Sequence, residues 1–305
     1  MGGLFQIDWR IFMAGVEAWI QGRNPYGVLS PEFSAGAFAY PPTALPWLAL
    51  FLLLGPLGYY VWTGLELGLW WWLIRRENRW QIMLLFWSPM ALHLVEGQSS
   101  LAPTLVLWAA TRAQRRGWLW GLAIAWAMTK PQVALVPMLW LLWHDRAAEG
   151  RWKLWGGIAL GTLLLALPAT LMSPGIWGLW LDGLAAYRGR ILQMAAWQGP
   201  SALLLALAAY LWYRHYNQGW QWWLAAAMFP QTSFYGIVPA LPALHIRPKS
   251  NWALAGIGLA AVLQVGVSEA TLPWLLAAHV LVLWVLVGGP TARSAQAGGQ
   301  ASAPA

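Results

Sequence analysis

From residue 43 to residue 287 the chain is a near-continuous succession of apolar runs separated by short polar breaks. Hydrophobic residues make up 59% of the 305 and charged residues only 9%, where ordinary soluble domains carry about 25% charged residues. One globule cannot hide that much apolar surface, so the expected fold is all-α and polytopic, an integral membrane bundle. The runs fall at 43–74, 80–95, 100–111, 118–129, 132–143, 153–171, 201–213, 220–230, 234–245, 251–267 and 272–287, giving about 11 membrane segments. The first is long and broken at Gly55-Pro56, which makes it kinked or two-piece. Residues 1–42 carry Asp8, Arg10, Glu17, Arg23 and Glu32 and form no span. Residues 288–305 have no apolar pattern and are expected to be disordered. Three parts follow: 1–42 as a loop, 43–287 as the membrane domain, and 288–305 as a tail.

Several runs are short. Twelve helical residues reach about 18 Å, against a hydrocarbon core of about 30 Å. Turns between such helices are expected to dip below the membrane surface, where non-helical backbone survives only under protein or beside a watery cavity. Three hairpins share this plan, at 80–111, 118–143 and 220–245. Their polar elbows are Glu96-Gly97-Gln98, Thr129-Lys130-Pro131-Gln132 and Pro230-Gln231-Thr232-Ser233. Short apolar helices paired around polar breaks point to a binding cavity.

Charge supplies orientation. If the eleven spans alternate, 13 of the 18 Lys and Arg fall on one side, beginning with Arg75, Arg76 and Arg79 and ending with Arg293. The positive-inside rule makes that side cytoplasmic, and a charge of +8 needs no nucleic-acid partner. Residues 1–42, the three elbows and the 172–200 loop then share the extracytoplasmic face. An odd number of spans leaves Met1 outside, yet residues 1–42 contain no export signal. A first helix encoded upstream of Met1 is therefore expected; the alternative is that segment 43–74 carries the loop across.

The outer face holds Asp8, Arg10, Glu17, Arg23, Glu32, Glu96, Lys130, Asp182, Arg188, Arg190 and Glu269, with His93 just inside an elbow. The chain has no cysteine, which excludes a disulfide scaffold, a thiolate metal site and a cysteine nucleophile. It also lacks D-x-D, a Walker A loop, H-E-x-x-H and G-x-S-x-G. No metal and no cofactor is implied. A carboxylate and several cations beside a lipid-facing cavity suit transfer of a sugar from a polyprenyl phosphate. The phosphate leaving group needs cations and no general acid; the acceptor hydroxyl needs a base, for which one carboxylate suffices. Lys130, Arg188 and Arg190 are the candidate phosphate holders, Arg gripping with two N–H groups and Lys acting as a point charge.

Asp8 followed by Phe12, Ala14 and Ala18, then Gly22-Arg23-Asn24-Pro25-Tyr26, then Phe38-Ala39-Tyr40-Pro41-Pro42, resembles the first extracytoplasmic loop of glycosyltransferase family 87. Gly97-Gln98 after Ser88-Pro89, and Lys130-Pro131, resemble the family's next two motifs in order and spacing. The resemblance is clear over about residues 8–155 and diffuse beyond. It implies an integral-membrane enzyme of the GT-C superfamily, a group that includes polyprenyl-phosphate-mannose-dependent α-mannosyltransferases. It also implies Asp8 as general base, following a first transmembrane helix that is absent here.

Each residue has a plainer reading. Asp8 is either the base or a cap on a helix from Trp9 to Ile20. Glu96 is either a second base or a polar helix end. Gln98 orients backbone or sugar hydroxyls, and His93 is either a substrate contact or a core histidine bonded to a neighbour. Arg188 and Arg190 sit in a loop after an amphipathic stretch, 176–186, and hold phosphate or lipid headgroups. Tyr40 shapes the chain's path into the membrane or walls the sugar site. Glu66 pairs with another helix or lines the cavity. The resulting expectation is a hexosyltransferase of the bacterial inner membrane, inverting and metal-independent, with its active site on the extracytoplasmic side. Its partners are a polyprenyl-phosphate sugar, a lipid or glycan acceptor and membrane lipids. The rival reading is a lipid or solute transporter using the same broken helices as half-sites.

Overall fold

A computed structural model of the chain describes residues 5–193, excepting 78, 87, 114–116 and 146–149, together with 206, 210, 220–228 and 234–243. The third elbow, Glu269, runs 251–267 and 272–287, most of 201–213 and the tail lie outside the described residues. Those described fold as helices, and no strand occurs among them. In chain order the α-helices are α1 Ile7–Ile20, α2 Leu45–Leu52, α3 Leu57–Glu77, α4 Ser88–Glu96, α5 Leu101–Arg112, α6 Trp118–Ala127, α7 Pro131–His144, α8 Arg151–Met172 and α9 Ile176–Gln193, with a further helix at Trp220–Met228. Segments Pro42–Ala44, Arg79–Phe86 and Phe234–Ala243 are 3-10 helical.

Two boundaries differ from the sequence reading. Run 80–95 is two pieces, a 3-10 segment followed by α4, which Pro89 opens near its first turn. Arg188 and Arg190 lie on α9 rather than in a loop. No proline interrupts the chain between Ile176 and Gln193, so the amphipathic stretch simply continues by two further turns.

Residues 1–42 hold α1. Its buried residues Trp9, Phe12, Val16 and Trp19 recur at spacings of three and four, a stripe along one helix face. Asp8 does not cap it. The cap position is Gln6, in left-handed backbone conformation, and Asp8 stands in the first turn, where a carboxylate meets the helix's positive end favourably.

The break at Gly55-Pro56 bends α2 against α3 by 113°. Among the described residues one helix, α8, is long and apolar enough to cross a membrane, and the bent α2–α3 pair passes the same test jointly. At 22 residues, α8 spans about 33 Å. It packs closely on α6, where Gly121 and Ala125 face Gly157 and Gly161. Small residues four apart on each helix let the backbones meet.

Two apolar clusters result. One joins α1, the 26–40 loop, α2 and the start of α3 to Ala169 and Ile176 at the end of α8 and start of α9. The other joins the end of α3 to α4–α7, Leu154 near the start of α8, and the two C-terminal described segments. They meet at the head of α5, where Leu101 belongs to one and Ala102 to the other.

A Cβ at Gly121 would lie 2.4 Å from the Leu154 carbonyl oxygen. Gly121→Leu should therefore destabilise the α6–α8 pair by about 1–3 kcal/mol, read as a lower melting temperature of the detergent-solubilised protein.

Candidate active site

The Glu96-Gly97-Gln98 elbow is a helix ending with a definite geometry. The Gln98 N–H donates to the His93 carbonyl (3.0 Å) and the Gly97 N–H to that of Leu94 (3.2 Å), a Schellman turn with Glu96 as its last half-helical residue. Gly97 has φ +72°, and a Cβ there would lie 2.7 Å from the Cβ of Trp9. The position thus needs glycine both for its backbone and for the approach of α1. α1 is also tied to the elbow through the Gln6 N–H to the Val95 carbonyl (2.8 Å). That contact sets Asp8 over the turn.

The side chains meet there. Gln98 Nε2 donates to Asp8 Oδ2 at 2.7 Å. Gln98 Oε1 accepts from the Lys130 ammonium, from the Ser99 N–H at 3.2 Å and from the Tyr40 hydroxyl at 3.3 Å. Lys130 Nζ also donates to the Tyr40 hydroxyl at 2.7 Å. Tyr40 OH and Ser99 Oγ are 2.7 Å apart, and Trp62 Nε1 holds the Gln98 carbonyl at 3.3 Å. Tyr40 lies in the loop after α1, where its ring and that of Phe38 lie against each other, centroids 5.7 Å apart. Phe38 packs on Gly15 of α1 and Phe12 on the Tyr40 ring, centroids 4.8 Å apart.

Lys130 precedes Pro131, which removes it from helical conformation and makes it the residue before α7's first turn. It is 3% exposed. Burial pulls its pKa down to about 7, against the opposing pull of the negative charges on Asp8 and Glu66. Asp8 and Glu96 are only half-buried. Burial of the Glu96 carboxyl, then the Asp8 charge and a hydrogen bond to Asp8, raise the Glu96 pKa to about 8. Of the two carboxyl groups, Glu96 is the one that burial and its neighbour push toward the protonated form. The site has a covered cationic floor and a half-open acidic rim, the arrangement needed to take a proton from one group while holding negative charge on another.

The other sequence candidates fall elsewhere. His93 is fully buried, its Nε2 3.2 Å from Glu66 Oε2, so it stands behind the elbow as a core histidine bonded to a neighbour. Arg188 is exposed on α9 and makes no hydrogen bond or ion pair to the cluster among the described residues; the Arg190 side chain lies outside them. α9 itself rests on the Tyr40-bearing segment, its Trp180 Nε1 donating to the Ala39 carbonyl at 3.1 Å. Arg10 turns to Glu32, 3.2 Å away at the surface. Among the described residues no cluster of His, Cys, Asp and Glu could hold a metal ion. Sequence reasoning misses Ser99 and Trp62. Ser99 follows the elbow directly, and that position is a signal that could have found it; nothing in the sequence ties Trp62 to Gln98.

In Asp8→Asn the Glu96 pKa loses the neighbouring charge that helps raise it. A carboxyl infrared band titrating near pH 8 in the wild type should move to lower pH in that variant.

The sequence model of glycosyltransferase family 87 matches residues 38–268. The match takes in Tyr40, both described elbows and the stretch beyond residue 155 where the motif resemblance is diffuse, and it begins after Asp8. No curated protein and no solved structure matches the chain. A family match over most of the 305 residues, its motifs converging on one polar cluster, means that this chain belongs to glycosyltransferase family 87.

Proposed function

We propose that this glycosyltransferase is a GT-C-type membrane enzyme. Its outward-facing site takes a hexose, mannose by family resemblance, from a polyprenyl phosphate and passes it to an extracytoplasmic lipid or glycan. One observation carries the reading. Asp8, Tyr40, Glu96, Gln98 and Lys130, drawn from four separate stretches of sequence, form one hydrogen-bonded group with a half-exposed carboxylate above a buried cation.

In this reading the Asp8 carboxylate removes the acceptor hydroxyl's proton. The acceptor oxygen attacks the anomeric carbon as the bond to the phosphate oxygen breaks, and this single displacement inverts the carbon. The departing lipid phosphate keeps the electron pair and is held by positive charge. Lys130 supplies that charge. Because its Nζ is covered, the phosphate reaches it by taking the place of the Tyr40 hydroxyl or the Gln98 amide oxygen. Glu96, protonated, hydrogen-bonds Asp8 and leaves it the ionised member of the pair. Gln98 spans base and cation and fixes their separation. Arg188 is a second cation, on the helix that covers the Tyr40 segment.

Orientation has support too. α8 begins with Arg151 and Lys153, and its far end packs into the cluster that contains Tyr40. Arg75 and Arg76 close α3 and Arg112 closes α5, each at the end away from the elbows. Leu160, Leu163, Leu164, Leu167 and Leu171 of α8 are exposed, as they would be toward lipid. On this reading the positive ends face the cytoplasm and the site faces outward. The domain reading stands as part of the proposal, residues 1–42 as the outer loop and 43–287 as the membrane domain.

Asp8→Asn should lower sugar transfer by about 100-fold or more while donor binding in nanodiscs persists; retained turnover would remove Asp8 as base. Donor affinity should also fall as pH rises through about 7. The lowered Lys130 pKa means that the ammonium is present below that pH and lost above it. Lys130→Arg, whose guanidinium stays charged, should flatten this dependence in equilibrium binding.

A further inference from the structure

Behind the site lies an acidic group that the proposed chemistry does not use. Glu66, on α3, is 2% exposed and His93 is fully buried. A carboxylate this deep is retained only if its oxygens are satisfied. One, Oε1, accepts the N–H of Ala102 in the first turn of α5 at 3.0 Å; the other, Oε2, is 3.2 Å from His93 Nε2. Ser100, the residue before α5, places no side-chain cap on that helix. Glu66 from a third helix does the capping, where the helix dipole favours negative charge.

The two groups it grips flank the elbow. His93 lies on α4 just before Glu96, and Ala102 on α5 just after Ser100. Between them run Glu96, Gly97, Gln98 and Ser99, which carry the contacts to Asp8, Tyr40 and Lys130. Fixing both ends of so short a segment fixes the direction of the Gln98 side chain. Trp62, one turn earlier on α3, holds the Gln98 carbonyl from the same helix.

We infer that Glu66 is a positioning residue of the transfer site. It staples the Glu96–Ser100 elbow at both ends and places a negative charge behind Lys130 that keeps the lysine cationic. The inference rests on the reading of Lys130 as the phosphate-holding cation. Lys130 meets Tyr40 from the preceding loop and Gln98 and Ser99 from the elbow, and feels the charges of Asp8 on α1 and Glu66 on α3; Glu96 stands beside Asp8 and His93 beside Glu66. Among the described residues, Glu66 is the carboxylate on the buried side of this group.

The chain has three lysines, at 130, 153 and 249, so the full-length protein labelled with 13Cε-lysine in nanodiscs gives a spectrum that Lys130→Arg assigns. Glu66→Gln keeps an oxygen for the Ala102 N–H, removes the charge and puts an amide N–H2 opposite His93 Nε2, which a neutral imidazole can accept. The Lys130 titration midpoint should then fall by about one pH unit, and polyprenyl-phosphate hexose should bind about tenfold more weakly above both midpoints, with little change well below them. An unchanged midpoint in a folded Glu66→Gln protein overturns the inference. A shifted midpoint without donor binding in the wild type instead sinks the proposed function and leaves the electrostatic role of Glu66 standing. Hydrogen exchange in the wild type tests the staple independently of any variant. The Ala102 amide should be strongly protected; exchange at the rate of a free first-turn amide would overturn it.

Discussion

Lys130 carries its ammonium where both solvent and secondary structure disfavour a cation. It is buried, and it stands at the positive end of α7. What holds it is a set of oxygens delivered by other parts of the chain: the Gln98 amide and the Tyr40 hydroxyl directly, with the charges of Asp8 and Glu66 beyond them. Each partner reaches Lys130 through a specific device. Gln98 needs the Schellman turn at Gly97, Tyr40 needs the Phe38 face packed on α1, and Asp8 needs α1 seated against that glycine. Moving Gln98 or Tyr40 leaves the ammonium short of an acceptor, and moving Asp8 removes the anchor of Gln98, so this part of the fold is organised around one charge.

The carboxylates complete the arrangement by being less buried than the lysine. Asp8 and Glu96 are hydrogen-bonded to each other, and burial together with the Asp8 charge raises the Glu96 pKa. Two like groups with different environments take different protonation states, the usual basis for dividing acid and base roles. A glycosyltransferase acting on a lipid phosphate needs one accessible base and one cation that does not compete for water. In the proposed transfer the half-open rim would serve as the base and the closed floor as the cation, and the aromatic packing of Phe12, Phe38 and Tyr40 keeps Tyr40 in place.

The helix lengths fit this plan. α5, α6 and α7 have 12, 10 and 14 residues, so their elbows end inside the protein instead of at its surface. Thr129, Lys130, Gln98, Ser99 and Ser100 are all buried. Backbone at such turns must find partners within the fold, and it does, through the Schellman turn, the Glu66 cap and tight turns at Thr129 and Lys130. α8 supplies length, and glycine and alanine at its crossing with α6 replace side-chain interdigitation with direct backbone contact.

The sequence by itself determined the helical class, the break at Gly55-Pro56, the two described elbows and the family, because apolar runs, prolines and glycines act locally and leave a mark at each position. It also marked Asp8, Tyr40, His93, Glu96, Gln98, Lys130, Arg188 and Arg190 as candidates, since a polar group set among apolar runs costs free energy unless it is paired or serves a site. Only the tertiary structure decided which of them meet. It set His93 against Glu66 behind the elbow, left Arg188 exposed on α9, and used the Gln98 side chain as a bridge rather than a free hydrogen-bonding group. It gave Glu66 two partners from two other helices. Those outcomes depend on side-chain direction and on how three or four helices converge within a few ångströms. One-dimensional spacing carries no record of contacts between residues 8, 40, 66, 98 and 130, whereas helix capping and glycine turns are written within a few neighbouring positions.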